Sequence, residues 1–449
     1  VIPVPWPHQK QSLNVYERTP IILDTSDPGT GKTRAAIDAF AKRRFAGGGK
    51  ALVIAPKPLL DPAWAADVRQ FQPKLLFSVA YAKNRAAAFK VEADLYITNT
   101  DAVTTLAKKP RKFFDGFDTL IIDEISYFKH RTSARSKALK KLSNYFHYRV
   151  GMTGTPTSNS ITDIWHQVLI LDHGERLGTS FFAFRDVVCK QIIINPMKPE
   201  WSKWEDKPES RETVAQILSD ISVRHEFDVV MKNIPEQTKH LLYYQPSKRL
   251  LEFYEKLKEY CLLQLQEGEV TALNAASLRQ KLLQVASGRV YGKDKVFNLD
   301  SGRTDLIVEL ILGRTHSVVF WNWQHQREGL TEALTKKKVK FAEIGKDTKN
   351  KDRADLVSRY QAGEYQTLLM HPQSGAHGLT LTKGTSVIWC SPTDRADLLV
   401  QGDARIRRGG QSLATESIRV CAKGTLEEKV YERIGEKLDA MSHLMELLK

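Results

Sequence analysis

Three groups of residues in this chain have the types and spacing for phosphoryl transfer. The first is Ser26-Asp-Pro28-Gly29-Thr30-Gly31-Lys32-Thr33. Its glycines let backbone N–H groups turn toward a polyphosphate, which a Cβ would hinder. Pro28, Gly29, Thr30 and Gly31 form the cradle, and Lys32 is placed to reach the β- and γ-phosphates of ATP. Thr33 is expected to bind Mg²⁺. Ser26 stands where such loops usually begin with glycine. The second group is Asp123-Glu124, which follows the apolar run Leu120–Ile122. Asp123 is expected to hold Mg²⁺ through water, and Glu124 to orient and deprotonate an attacking water. The third is Gln401-Gly-Asp-Ala-Arg405-Ile-Arg-Arg408-Gly-Gly410-Gln411. A γ-phosphoryl transition state spreads negative charge that a guanidinium stabilises, typically by about 10³–10⁵ in rate. Arg408 is the expected finger, with Arg405 beside it on the same face of one helix. Thr153 and Thr155, in Gly151-Met-Thr-Gly-Thr-Pro156, offer hydroxyls that could relay between the acids and the second half.

The elements that must position these groups alternate. Ile21–Leu23, Ala51–Ile54, Asp94–Ile97, Leu120–Ile122 and Tyr148–Met152 read as buried strands, with helical patterns at Arg34–Ala46 and Ala134–Asn144 between them. That alternation predicts a parallel sheet covered on both faces, an α/β fold. The alternation resumes after Arg303, with strands at Ser317–Trp321, Phe341–Ile344, Thr367–Met370, Ser386–Cys390 and Glu416–Val420. Helices are expected at Asp352–Gln361 and Leu426–Leu448. Between the two halves, Asn195–Pro208 reads as a surface loop, and Arg249–Glu267 and Thr271–Ser287 as amphipathic helices. The expected division is lobe 1 over residues 1–230, with an insertion from about 165. Lobe 2 follows over 231–449, with a helical insertion at about 249–290 and a C-terminal helix.

Lys and Arg number 67 against 52 Asp and Glu, a formal charge of +15. Such an excess favours a polyanionic partner, most often nucleic acid. Cys189, Cys261, Cys390 and Cys421 lie too far apart for metal-ligand spacing or a disulfide framework. No run of ~20 apolar residues exists to span a bilayer. A cytoplasmic protein without a membrane partner is expected.

Together these motifs resemble a superfamily 2 helicase core, most of all its SNF2 branch. Pro7-His-Gln9 is similar to the glutamine motif that reads adenine. Ala55-Pro-Lys57 through Trp64 resembles motif Ia, and Ile97-Thr98-Asn99 resembles motif Ib. Asp123-Glu124-Ile-Ser126 stands at the Asp-Glu-x-His box, with Ser126 in place of histidine. Thr153-Gly-Thr-Pro156 is similar to the SNF2 form of motif III. In the second half, Val318–Trp321 resembles motif IV, and Gly375-Ala-His377-Gly378-Leu-Thr-Leu381 resembles motif V, with Thr380 where asparagine is frequent. Gln401–Gln411 fits the motif VI pattern throughout.

The resemblance implies two RecA-like lobes with ATP and Mg²⁺ between them, and nucleic acid lying across both. Gln9, Gly378 and Gln401 join the nucleotide-binding set. Lys57, Thr98, Asn99, Ser374, Gly375 and His377 become candidate backbone contacts, and Trp321 a candidate base-stacking group. It further implies a monomeric ATP-dependent translocase on duplex DNA, compact like phage-encoded members and at work in a host cytoplasm. A strand-separating, fork-remodelling or annealing helicase shares these motifs. An ATPase-silent nucleic-acid clamp is the reading from another class.

Overall fold

The computed structural model describes residues 2–193, 202–266, 272–291, 296–345, 348–375 and 379–449. Contacts divide the chain into two compact units. Unit 1 comprises residues 1–232 with 437–449, and unit 2 comprises 233–436.

Unit 1 is built on β1 (Ile21–Asp24), β2 (Lys50–Ala55), β3 (Phe77–Ala80), β4 (Leu95–Asn99), β5 (Phe117–Asp123) and β6 (Tyr148–Met152). A hairpin, β7 (Cys189–Ile193) and β8 (Ser202–Asp206), and the short β9 (Ser222–Val223) follow. The main sheet has the order β3-β4-β2-β5-β6-β1-β9. Every pairing in it is parallel. Successive residues of a strand point to opposite faces, and here both faces are covered. Ile22, Val53 and Ile121 enter one core with Ile37, Phe40 and Trp64. Their neighbours Leu23, Leu52, Ile54, Leu120 and Ile122 enter the other, with Leu139, Trp165, Val168, Leu444 and Leu448. Two-sided burial explains why these strands are apolar runs rather than alternating ones.

Unit 2 follows the same plan. Its strands are β10 (Gln237–Tyr244), β11 (Arg289–Tyr291), β12 (Val296–Asn298), β13 (Ser317–Phe320), β14 (Phe341–Ile344), β15 (Thr367–Met370), β16 (Ser386–Trp389) and β17 (Thr415–Ala422). The sheet order is β10-β17-β16-β13-β15-β14, and again each pairing is parallel. The helices Lys248–Gln266 and Ala272–Ala286 stand where the sequence places the second insertion. A buried ion pair knits this unit together. Arg303 donates to Glu427 Oε2 at 2.8 Å, to the Cys390 carbonyl at 2.6 Å and to the Ala286 carbonyl at 2.8 Å. The architecture is thus two parallel sheets flanked by helices, the RecA-like pair expected.

The stretch Asn195–Pro208 corrects the sequence reading in part. Ser202–Asp206 is a strand, antiparallel to Cys189–Ile193, rather than loop. Residues 195–201 lie outside the described residues. The sheet-edge strands β3, β9 and β10 are not among the strands expected from the sequence.

His325 in unit 2 gives a measurable pH dependence. It is buried, with Nε2 at 2.6 Å from Ser287 Oγ. Burial, then the nearby Arg289 and Arg303, pulls its pKa from 6.5 down to about 4. Above pH 6.5 both the folded and the unfolded chain carry it neutral. As pH falls, the unfolded chain takes up the proton first, so the stability this site supplies is lost between 6.5 and 4. The loss is on the order of 3 kcal/mol. Urea unfolding midpoints of the wild type should therefore drop faster across this window than those of His325→Gln. Parallel curves for the two would contradict the assignment.

Candidate nucleotide site and arginine motif

The loop between β1 and the helix Lys32–Phe45 turns through two left-handed glycines, Gly29 with φ 89° and Gly31 with φ 79°. The φ of 79° favours glycine at 31, and a Cβ there would lie 2.2 Å from Gln9 Nε2, so that side chain would have to move. The Lys32 ammonium sits over the loop, donating to the Ser26 carbonyl at 2.6 Å and the Asp27 carbonyl at 3.1 Å. Asp24 anchors the loop's start. Its Oδ1 accepts the Ser26 N–H at 2.8 Å, and its Oδ2 accepts the Tyr16 hydroxyl at 2.8 Å. Burial, and then the Asp24 charge, hold that phenol well above its usual pKa, so it stays a donor.

The far side of the loop is held by residues 223–227, whose role the sequence does not reveal. Thr25 N–H donates to the Val223 carbonyl and Asp27 N–H to the His225 carbonyl. The Asp27 carboxylate accepts Arg224 at 2.7 Å and the Phe227 N–H at 2.9 Å. His225 N–H donates to Ser26 Oγ at 3.0 Å. Ser26 therefore has work that a glycine could not do.

The two acids stand at the carboxyl end of β5, where parallel sheets place ligands. Glu124 has φ 53°, a left-handed backbone that costs a non-glycine residue energy and recurs at functional positions. Thr153 Oγ1 donates to Glu124 Oε2 at 3.3 Å, and its backbone N–H donates to the Asp24 carbonyl. A Cβ on Gly154 would meet Pro28 Cδ at 2.9 Å, so the segment after β6 lies against the phosphate-loop proline. Asp123 Oδ2 accepts the indole N–H of Trp64 at 2.9 Å.

The donor set fits a magnesium–nucleotide complex. A hard cation shared with phosphates asks of the protein one or two oxygen ligands rather than a full cage. Thr33 is the second residue of the helix behind the loop, and Asp123 closes its strand. Among the described residues, no group of three or more His, Cys, Asp or Glu forms a separate metal centre.

Several candidates sit otherwise than their motifs imply. Gln9 is buried, with Oε1 accepting the Trp6 N–H at 2.9 Å and Nε2 donating to the Gly31 carbonyl at 3.3 Å, so it caps its own helix and braces the loop. Lys57 is exposed. Thr98 is fully buried, with its hydroxyl donated to the Ala80 carbonyl at 2.7 Å, which removes it as a surface contact. Asn99 is nearly buried and accepts Arg85 at 2.9 Å.

In unit 2, Trp321 belongs to the core, beside His371 at 4.9 Å between ring centroids, so base stacking is not open to it. Gly375 packs on Met370, and the Ser374 carbonyl accepts Arg353 at 2.6 Å. His377 and Gly378 lie outside the described residues. The arginine motif also departs from expectation. The helix Ala396–Asp403 ends before either arginine, and residues 404–410 form turns and bends, with Arg408 in a bend. Arg405 is buried and donates to the Gln401 carbonyl at 2.6 Å and the Leu379 carbonyl at 3.2 Å. Gln401 is buried behind it. Arg408 is only half-buried, with Nε on the Ala404 carbonyl at 3.2 Å. Gln411 locks the segment's end by donating to the carbonyls of Thr382, Gly384 and Ile406.

Comparison with known families decides what this chain is. The SNF2-related domain matches residues 12–289, and the helicase conserved C-terminal domain matches residues 302–410. The chain belongs to the SNF2 family. With both parts of the helicase core matched in order, this SNF2 protein is an ATP hydrolase of the helicase type. Protein p41 of Acyrthosiphon pisum secondary endosymbiont phage 1 is 26% identical, covering 94% of this chain and 93% of that one. The SWI/SNF-related regulator of chromatin subfamily A-like protein 1 of Xenopus laevis is 23% identical over 97% of this chain. The SNF2 chain spans 43% of that relative's length. The Sulfolobus solfataricus SWI2/SNF2 ATPase core in complex with dsDNA aligns at a TM-score of 0.46 and 20% identity, covering 99% of this chain and 93% of that one. No helix among the described residues is long and apolar enough to cross a membrane.

Proposed function

We propose that this SNF2 protein hydrolyses ATP to translocate on duplex DNA without sequence preference, as a monomer, in the host cytoplasm of a phage. The observation that carries the reading is the loop 25–31, with its two left-handed glycines and the Lys32 ammonium over its carbonyls, in one unit with the strand-end acids. In this reading the loop N–H groups and Lys32 bind the β- and γ-phosphates. Thr33 and Asp123 hold Mg²⁺, which when bound neutralises phosphate charge. Glu124, oriented by Thr153, takes the proton of the attacking water. Arg408 supplies positive charge to the γ-phosphoryl group, and Arg405 keeps its turn in shape. Gln9 braces the loop through the Gly31 carbonyl, Gln401 holds Arg405 through its own carbonyl, and Gly378 completes the nucleotide contacts.

Lys57 leads the DNA contacts, because it is exposed and only one residue separates it from the end of β2. Asn99, Ser374, Gly375 and His377 are secondary ones. The formal charge of +15 supports a phosphate-tracking, sequence-blind mode.

An ATPase assay against duplex, single-stranded and forked DNA, at several salt concentrations, tests this. Duplex DNA should stimulate most, with stimulation fading as salt rises. Equal rates with and without DNA would refute the translocase. Displacement of a labelled strand would favour the strand-separating or fork-remodelling mode. Tight DNA binding with no turnover would favour the silent clamp.

A further inference from the structure

The segment after Lys57 reaches the acids by an unusual route. Leu60–Ala65 is wound as a π-helix, a wide turn that is rare and recurs at functional positions. It carries Trp64 into the sheet's core, where the ring is fully buried among residues such as Val53, Ile97 and Ile121. From there the indole Nε1 meets Asp123 Oδ2 at 2.9 Å. An indole nitrogen only donates, so the contact fixes that oxygen as an acceptor and limits rotation of the carboxylate. The packed ring has no freedom to follow if the carboxylate turns. The segment is also tied at its start, where the Tyr81 hydroxyl donates to Asp61.

We propose that Trp64 is a positioning residue for Asp123, setting the orientation in which this carboxylate meets the metal–nucleotide complex. The inference rests on the reading of Asp123 as the metal-side acid. It assigns Trp64 a role through its N–H, separate from its role as a core side chain. A partner one shell out from a metal that orients a ligand typically accounts for about 10–100-fold in metal affinity or activity.

The test is Mn²⁺ binding to the protein–ADP complex, followed by electron paramagnetic resonance. In Trp64→Phe, Mn²⁺ affinity should fall about 10-fold, while ADP binding without metal stays unchanged. The Mg²⁺ concentration for half-maximal ATPase should rise by a similar factor, with kcat recovering at saturating metal. Should Trp64→Phe fold poorly, a tryptophan isostere with sulfur in place of the indole N–H removes only the donor. Leu60→Ala, in the same π-helix and equally buried, should lower the melting temperature without moving Mn²⁺ affinity. Wild-type Mn²⁺ affinity in a folded Trp64→Phe or isostere protein would overturn the proposal. So would an equal loss in Leu60→Ala, which would mark packing as the cause. If the wild type itself binds no Mn²⁺·ADP, the assignment of Asp123 falls first and takes the role of Trp64 with it.

Discussion

Lys32→Ala should lower DNA-stimulated ATP hydrolysis by about 10²–10³-fold, the loss typical when one preorganised donor to a transition-state oxyanion is removed. The effect should fall on turnover rather than folding. The loop keeps its shape without the ammonium, because other bonds hold both sides. Asp24 accepts the Ser26 N–H, and residues 223–227 grip Thr25, Ser26 and Asp27 through backbone and carboxylate bonds. Thermal melts of the variant should therefore stay close to the wild type. Steady-state rates with saturating duplex DNA provide the measurement. A variant that keeps its rate would mean that the loop does not hold the nucleotide, and the reading of the site would go with it.

Arg408→Ala should cut kcat by about 10³-fold or more and leave the KM for ATP within a few-fold. A guanidinium that meets charge developing only in the transition state contributes to turnover and not to ground-state binding. Arg408 is a cleaner target than Arg405. The Arg405 side chain is buried and bonded to the carbonyls of Gln401 and Leu379, so its loss leaves buried acceptors without donors and disturbs the turn itself. Arg408 is half-buried, and one bond it gives, to the Ala404 carbonyl, stays within its own segment. Arg408→Lys should recover only a small part of the rate, since lysine lacks the planar fork. Single-turnover hydrolysis with bound nucleotide, measured beside nucleotide affinity, separates the two quantities. If kcat holds and affinity drops, Arg408 is a binding residue and no finger.

The strands that carry the site were legible because both faces of each sheet are covered. Burial on two sides demands continuous apolar runs such as Ile21–Leu23 and Leu120–Ile122, and these read directly. The edge strand β10 is mostly exposed along its length, and β9 has only two residues. β9 is too short to show a pattern, and the Leu241–Tyr244 run of β10 follows a polar, mostly exposed half, so neither reads as a buried strand. Motif position likewise gave residue types but not exposure. Thr98 and Trp321 occupy the motif places expected of nucleic-acid contacts, yet the packing of β4 and of the unit 2 core covers them. The arginine spacing suggested one helix, and the chain leaves helical geometry at Asp403 instead. There the Asp403 carboxylate takes hydrogen bonds from Trp389 and Ser417, which pins the helix end.

By itself the sequence determined the family, the two α/β sheets and the order of the phosphate loop, the acids and the arginines. Each of these is written in a contiguous stretch, where local backbone geometry and burial dictate residue type. Only the tertiary structure decided what holds those groups in place. Trp64 and Asp123 are 59 residues apart, and Arg224 and Asp27 are 197 apart. No spacing rule joins such pairs, because hydrogen bonds of this kind depend on where folded segments meet rather than on the residues between them.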